Sequence, residues 1–148
     1  MEQQLDDLAF KFFKLFAKYE SSLKQRDYFQ VNDNGKISVD WDSFSNEVIG
    51  NTFIDQLGDK VNSANFILES PPKRQAVNEH KKIIWEEVPN TDKSVQALFG
   101  HLCRMRNNLF HGAKFNGTWF DPERSKELLE HGLIVLEHFS GKALTNDS

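Results

Sequence analysis

The sequence predicts an all-α domain, with a small β-hairpin or a structured loop inserted near residues 28–41. Apolar side chains recur at three- and four-residue spacing in several long stretches, which is the period of an amphipathic helix. Turns rich in Gly, Pro and Asn separate these stretches. The chain has 148 residues, of which 39% are hydrophobic. These values are typical of one domain with a buried core, so we predict a single domain over residues 1–148.

The first predicted helix covers residues 5–24 and has one continuous apolar stripe. Phe10 and Phe13 lie off that stripe, which predicts a second apolar face against another helix or a second copy of the chain. Glu20 stands in the last turn, where a carboxylate opposes the helix dipole. We therefore expect Glu20 to pair with an arginine from another helix, and solvent exposure is the alternative.

The middle of the chain predicts shorter elements. The Asn34-Gly35 step between apolar residues indicates a hairpin within residues 28–41. Short helical segments are expected over about residues 42–50 and 51–62, followed by a loop at Pro71-Pro72. A further helix is predicted over about residues 75–85, and a turn over residues 89–92.

The last third of the chain predicts two long helices. The central helix begins near Ser94 and ends at Gly112, a residue typical of a left-handed helix stop. A loop is expected over residues 113–120. Asp121-Pro122 then predicts the start of the final helix, which continues to about Phe139.

Charge and cysteine content restrict the function classes. The net charge of -4 argues against a broad nucleic-acid surface but is compatible with a small basic cleft. The one cysteine, Cys103, cannot form an internal disulfide, so we expect a reducing, cytoplasmic setting. No apolar run is long enough to cross a bilayer, and we expect no membrane partner.

Most common catalytic patterns are missing from the sequence. There is neither a Gly-x-Gly-x-x-Gly nor a Gly-Lys-Ser/Thr loop for nucleotide phosphates. The five histidines do not cluster with metal-ligand spacing, so we predict no metal and no cofactor. Cys103 lies beside the apolar stripe of the central helix and is expected to be inert.

The end of the central helix has the most distinctive chemistry. Winding the helix at about 100° per residue places Arg106 inside the apolar arc, between Leu102 and Phe99. A buried arginine keeps its charge, so it requires an acid or an open cleft. His111 falls in the last turn, where the carbonyl end favours a cation by about 0.3–1 kcal/mol. Together with the neighbouring amide side chains, these groups could bind a phosphate and transfer a proton near it. The alternatives are a structural ion pair for Arg106 and helix-end stabilisation by His111.

The stretch from Arg106 to His111 resembles the signature of the HEPN superfamily, an arginine followed after four to six residues by a histidine. The spacing admits Arg104 as well, and Asn107 directly after the arginine favours Arg106. The resemblance implies a HEPN-like bundle of four to five main helices. It also implies a homodimer in which two motifs face a shared cleft.

Members with an intact motif are metal-independent endoribonucleases, so the resemblance implies RNA as substrate. The 2′-hydroxyl of the RNA attacks the phosphate and leaves a 2′,3′-cyclic phosphate. His111 is then the general base or acid, Arg106 holds the scissile phosphate and Asn107 orients one of the two. The expected supporting residues are Glu20, Arg104 and Asn108, and the expected substrate-binding residues are Lys73, Arg74 and Lys114.

Three functions remain open from the sequence. The first is a ribonuclease acting as a toxin or phage-defence effector, with an antitoxin or regulatory protein as partner. The second is a non-catalytic HEPN-like module that binds RNA, a nucleotide or a protein partner. The third is a structural dimerisation domain that uses the face formed by Phe10 and Phe13.

Overall fold

The computed structural model describes residues 2–89, 92–110, 114–115, 118–119 and 121–144. Three long helices dominate this part of the chain: α1 (Glu2–Gln25), α5 (Val95–Phe110) and α6 (Pro122–Ala143). Shorter helices lie between them: α2 (Trp41–Phe44), α3 (Phe53–Leu57) and α4 (Val61–Glu69). A π-helical turn (Ser45–Ile49) follows α2, and a 3-10 turn (Gly58–Lys60) joins α3 to α4. The predicted number of main helices is thus roughly met.

The all-α prediction is wrong, because three antiparallel strand pairs interrupt the helices of the described residues. The first pair joins β1 (Phe29–Val31) to β2 (Ile37–Val39), which is the hairpin that the Asn-Gly step predicts. The second joins β3 (Arg74–Val77) to β4 (Ile83–Glu86), where the sequence predicted a helix. The third joins β5 (Lys114–Phe115) to β6 (Thr118–Trp119), where it predicted a loop.

The second hairpin forms because its turn is closed by a side chain. Asn78 Oδ1 accepts hydrogen bonds from the backbone N–H groups of His80 and Lys82, at 2.9 and 3.0 Å. Such a local bond competes with the helical ladder and favours a turn. Val77 and Ile83 are β-branched and pair across the strands. Apolar spacing alone therefore predicted the wrong element over residues 75–85.

The first two hairpins share one loop pattern, a similarity that spacing alone did not reveal. Each runs from a valine and an asparagine, through an acidic residue, to a lysine and an isoleucine, over residues 31–37 and 77–83. In both loops the asparagine N–H donates to the lysine carbonyl, at 2.8 and 2.9 Å. The residue before that lysine has a positive φ, +81° at Gly35 and +58° at Lys81. The second loop therefore places a lysine in a conformation that favours glycine.

Lys81→Gly is expected to raise the free energy of unfolding by about 0.5–1 kcal/mol. The left-handed conformation costs an L-residue about 1–2 kcal/mol, and the greater freedom of unfolded glycine offsets part of the gain. Urea denaturation measures the change. The matched control is Lys82→Gly in the same loop, where φ is not positive and stability should fall. A loss of stability in both variants would contradict this account of the loop.

The core is built by α1 packing along α6. The buried side chains of α1 follow the predicted stripe and include Leu5, Phe12 and Tyr19. The Tyr19 hydroxyl donates to the Leu136 carbonyl, and Ser22 Oγ donates to the Ala143 carbonyl at 2.7 Å. Burial raises the pKa of Tyr19 well above its usual value, so this hydroxyl stays protonated as a donor.

Gly132 of α6 allows the helices to approach closely. A methyl group at this position would lie 2.8 Å from Met105 Cε on α5 and 3.1 Å from the Phe12 ring on α1. Both distances are shorter than ordinary carbon contacts, so any side chain here requires its neighbours to move. The absence of a side chain at Gly132 therefore sets the spacing at the point where the three long helices meet.

An aromatic cluster fills the space between α1, α2 and α5. Phe44 is fully buried, and its ring makes edge contacts with Tyr19, Tyr28, Trp41 and Phe99 at centroid distances of 5.5–6.3 Å. Edge-to-face rings at this range attract each other beyond the burial of their area. Aromatic rings near α2 thus form a large part of the core between these helices.

Helices that span a membrane are distinguished by their length and apolar character. In the described part of the chain, none combines the length and the apolar character that crossing a bilayer requires.

Candidate functional site

The carboxyl-terminal half of α5 has two chemically different sides. Cys103, Arg106 and Asn107 line a cavity between α1, α5 and the β1–β2 hairpin. Met105 and Asn108 face a second, more apolar cavity between β3–β4 and the start of α6. The rotation of about 100° per residue explains this division, because residues 103, 106 and 107 fall on one arc of the helix. Arg106 and Asn107 therefore belong to one site, and Asn108 to another.

Arg106 is held by three neighbours. Its Nη2 lies 3.4 Å from Glu20 Oε1 on α1, and its Nη1 donates to Asn107 Oδ1 at 3.2 Å. The guanidinium carbon lies 5.9 Å from the centroid of the Phe16 ring, within cation–π range. The side chain of Arg106 is 31% exposed and that of Glu20 is 24% exposed. The arginine is thus neither sealed in the core nor free on the surface.

The cavity beside Arg106 is large enough for a small ligand. Its volume is 380 Å³, within the range of about 300–1,000 Å³ that is typical of ligand pockets. One wall is apolar, formed by side chains of α1, α2 and the hairpin. The rim is mostly polar and is formed by α1 and α5. The apolar wall contains Phe16, Ile37, Val39 and Trp41, and the rim contains Glu20, Lys24, Arg106 and Asn107.

Arg104 and Asn108, the other expected supporting residues, lie away from this cavity. Arg104 Nη1 lies 3.4 Å from His101 Nδ1 on its own helix. Burial and the nearby charge of Arg74 lower the pKa of Arg104. Asn108 Nδ2 donates to the Lys73 carbonyl at 2.8 Å and so connects α5 to the second hairpin.

The expected substrate-binding residues are not gathered around Arg106. Lys73 lines the second cavity and lies 3.7 Å from Glu87. Arg74 Nε lies 2.5 Å from Glu86 across the β3–β4 pair. The side chain of Lys114 lies outside the described residues, although its backbone belongs to β5. Lys73 and Arg74 therefore do not form a basic cleft around Arg106.

His111 and Gly112 also lie outside the described residues. The last described residue of α5 is Phe110.

Cys103 lies on the same arc as Arg106, but its chemistry is that of a core residue. Burial and the nearby Glu20 carboxylate raise the pKa of the thiol to about 12. The thiolate, which is the reactive form, is scarce at neutral pH under these conditions. The expectation that Cys103 is inert agrees with this environment.

Sequence reasoning missed most of the residues that line the cavity, among them Lys24 and Trp41. Lys24 follows Glu20 by four residues, so both occupy the same face of α1, a spacing that the sequence already contained. Trp41 begins α2 directly after the hairpin. Its place in the cavity depends on how the hairpin folds back on α1, and no local pattern reports that.

Metal ligands are not grouped anywhere in the part of the chain that the structure describes. These described residues contain no group of three or more His, Cys, Asp or Glu side chains that could hold a metal ion.

His101 is a buried titratable group on α5, outside the cavity. A guanidinium has only donors, so Arg104 donates to Nδ1 and the imidazole proton resides on Nε2. Nε2 is buried and makes no hydrogen bond to another described residue. Burial and the charge of Arg104 lower the pKa of His101, and the charges of Asp92 and Lys93 act in opposite directions. The folded protein therefore favours the neutral imidazole.

Acidification is expected to destabilise the fold through His101. Because its folded pKa is lowered, the unfolded chain binds more protons near the ordinary histidine pKa of about 6.5. Stability should be unaffected above that pH and fall as the pH falls through it. Urea unfolding from about pH 7.5 to about pH 5.5 measures this slope. His101→Leu should flatten the slope, and an equal slope in both proteins would contradict the assignment.

Comparison of the chain with protein-family models, with curated proteins and with solved structures found no match.

Proposed function

We propose that the protein is a metal-independent endoribonuclease of the HEPN type, with Arg106 as its phosphate-binding residue. The observation that carries the proposal is the setting of Arg106. Its guanidinium lies on the rim of an open 380 Å³ cavity, beside Asn107 and within reach of Glu20. An arginine used only to stabilise a core ion pair has no need of an adjoining cavity.

The chemistry follows from the groups that the motif supplies. The 2′-hydroxyl oxygen of the RNA forms a bond to phosphorus while the bond from phosphorus to the 5′-oxygen breaks. His111 takes the proton from the 2′-hydroxyl or gives one to the leaving 5′-oxygen, and solvent water exchanges the proton at the other oxygen. Arg106 stabilises the charge on the phosphoryl oxygens through its planar fork. The products are a 2′,3′-cyclic phosphate and a 5′-hydroxyl.

Glu20 has a positioning role in this proposal. A carboxylate at 3.4 Å restricts the rotamers of Arg106 and keeps the guanidinium at the rim. Asn107 accepts from the same guanidinium on the other side. The arginine is thus oriented before the substrate arrives, which reduces the cost of ordering it in the transition state.

A non-catalytic binding module is the second candidate, and one observation favours it. The ion pair with Glu20 partly neutralises Arg106, and the net charge of the chain is -4. Both features weaken the attraction for a polyanion. In this alternative the same cavity binds RNA, a nucleotide or a protein partner, and no bond is cleaved.

The partners and the location are part of the proposal. RNA is the substrate, and the cytoplasm is the compartment in which such an enzyme meets it. A homodimer with two facing motifs agrees with the exposure of Phe10 and Phe13, which are 67% and 41% exposed on α1. A toxin or phage-defence role adds an antitoxin or regulatory protein as a further partner.

Incubation of the purified protein with total RNA in the presence of a chelator tests the proposal. Wild type should fragment the RNA, and His111→Ala should leave it intact. Retained RNA binding without cleavage by wild type would favour the binding module. Identical, intact RNA with both proteins would contradict the enzymatic proposal.

A further inference from the structure

We infer that the cavity beside Arg106 is a subsite for one unpaired nucleotide, with the base inside and its phosphate between Lys24 and Arg106. This inference rests on the proposed function and assigns to Lys24, Ser38 and Trp41 roles that the motif does not include. The chemistry recognised is a flat base with an adjoining phosphate, which either an RNA strand or a free nucleotide supplies.

The two walls of the cavity match the two parts of a nucleotide. Among the apolar lining residues Phe16 and Val39 are buried, at 2% and 9% exposed, so the accessible apolar surface comes from Ile37, which is 51% exposed, and from the aromatic ring of half-buried Trp41. Bases of single-stranded nucleic acid commonly pack on such aromatic surfaces, because every base has an apolar face. The volume of 380 Å³ suits one base and its sugar, but it is too small for a double helix. The cavity therefore selects unpaired RNA.

Two cations flank the acid at the rim. Glu20 lies 3.4 Å from Arg106, and Lys24 follows Glu20 by one helical turn on α1 and lines the same cavity. Lys24 is exposed and lies in the last turn of α1, and Asn107 lies in the last turn of α5. Carbonyl ends of helices repel an anion. A phosphate at this place thus requires a second positive charge besides the partly neutralised Arg106, and Lys24 provides it.

Ser38 gives access to the cavity for a test that leaves the charges unchanged. It lies on β2, opposite Gln30 in the hairpin, and it lines the cavity between Ile37 and Val39. Strands tolerate phenylalanine well, so a larger side chain here is compatible with the hairpin. Because Ser38 lines the cavity, Ser38→Phe is expected to narrow it while Lys24 and Arg106 stay unchanged.

Binding of a short, fluorescein-labelled 2′-O-methyl oligoribonucleotide, followed by anisotropy, tests the subsite. The blocked 2′-hydroxyl prevents cleavage, so binding and catalysis are measured separately. Lys24→Ala should weaken binding and reduce the slope of log K against log salt by about 0.7, the value for one phosphate on a single strand. Ser38→Phe should weaken binding by about tenfold or more. The matched control is Lys18→Ala, an exposed α1 lysine outside the cavity, which should bind like wild type.

The outcomes separate this inference from the proposed function. Equal binding by wild type, Lys24→Ala and Ser38→Phe, with melting temperatures preserved, would overturn the subsite even if wild type cleaves RNA. Weaker binding by both variants supports the subsite even if no cleavage occurs. A nucleoside monophosphate that competes as strongly as the oligonucleotide supports the subsite and identifies a free nucleotide as the occupant. A preference for duplex over single strand would overturn the inference.

Discussion

Arg106→Ala is expected to reduce RNA cleavage by about 10²–10³-fold, the loss typical of removing one group that stabilises transition-state charge. Arg106→Lys should be intermediate, because lysine keeps the charge and loses the planar fork that binds two phosphate oxygens. Initial rates on a fluorogenic RNA, with thermal melting to confirm folding, measure both effects. The ion pair with Glu20 makes a moderate change in stability the expected side effect.

Arg104 offers the matched control for this experiment. Its spacing to His111 also satisfies the motif, but its guanidinium contacts His101 rather than the cavity. Arg104→Ala should therefore retain most of the cleavage activity. If Arg104→Ala is the more damaging change, the motif starts at Arg104 and the cavity beside Arg106 is not the site.

Phe44→Ala is expected to have the largest effect on stability. Phe44 is fully buried, and its ring contacts four other aromatic rings. Truncating a buried phenylalanine costs about 3–5 kcal/mol through lost burial and an unfilled cavity. For a chain of this size, the change corresponds to a fall of roughly 10 °C in Tm. Urea denaturation and thermal melting measure the loss.

Phe44→Leu is the matched control for the aromatic cluster. Leucine keeps most of the apolar burial and loses the edge contacts between rings, so its cost should be well below that of alanine. Because Trp41 belongs to both the cluster and the cavity, Phe44→Ala should also weaken ligand binding. A cost below about 1 kcal/mol for Phe44→Ala would contradict tight packing at α2.

The long helices were predictable because each has a continuous apolar stripe. Leu5, Phe12 and Tyr19 in α1 are all buried, at the spacing that the sequence shows. The stretch over residues 75–85 was not predictable in the same way. Its apolar residues fit both the helical and the strand period. The hydrogen bonds to the Asn78 side chain that favour the turn are visible only in the folded structure. Local side-chain bonding decided the structure there.

The site was predictable in part. Arg106 in an apolar arc and Glu20 at a helix end were both charges in unfavourable places, and the structure places them 3.4 Å apart. Opposite charges in unfavourable places are stabilised when they pair, so sequence reasoning could predict this ion pair. The wall formed by Val39 and Trp41 was not, because it depends on how the first hairpin lies against α1. Lys73 and Arg74 were expected near Arg106, but Lys73 lines the second cavity and Arg74 pairs with Glu86 across the second hairpin.

In the proposed mechanism, Arg106 binds the phosphate that an adjacent 2′-hydroxyl attacks. The most direct test compares an RNA oligonucleotide with its copy carrying one 2′-deoxy substitution at the mapped cleavage position, with chelator present. Wild type should cleave the RNA to a 2′,3′-cyclic phosphate and leave the substituted bond intact, and Arg106→Ala should cleave neither at a comparable rate. Cleavage of the 2′-deoxy bond, or full activity of Arg106→Ala, would contradict the claim.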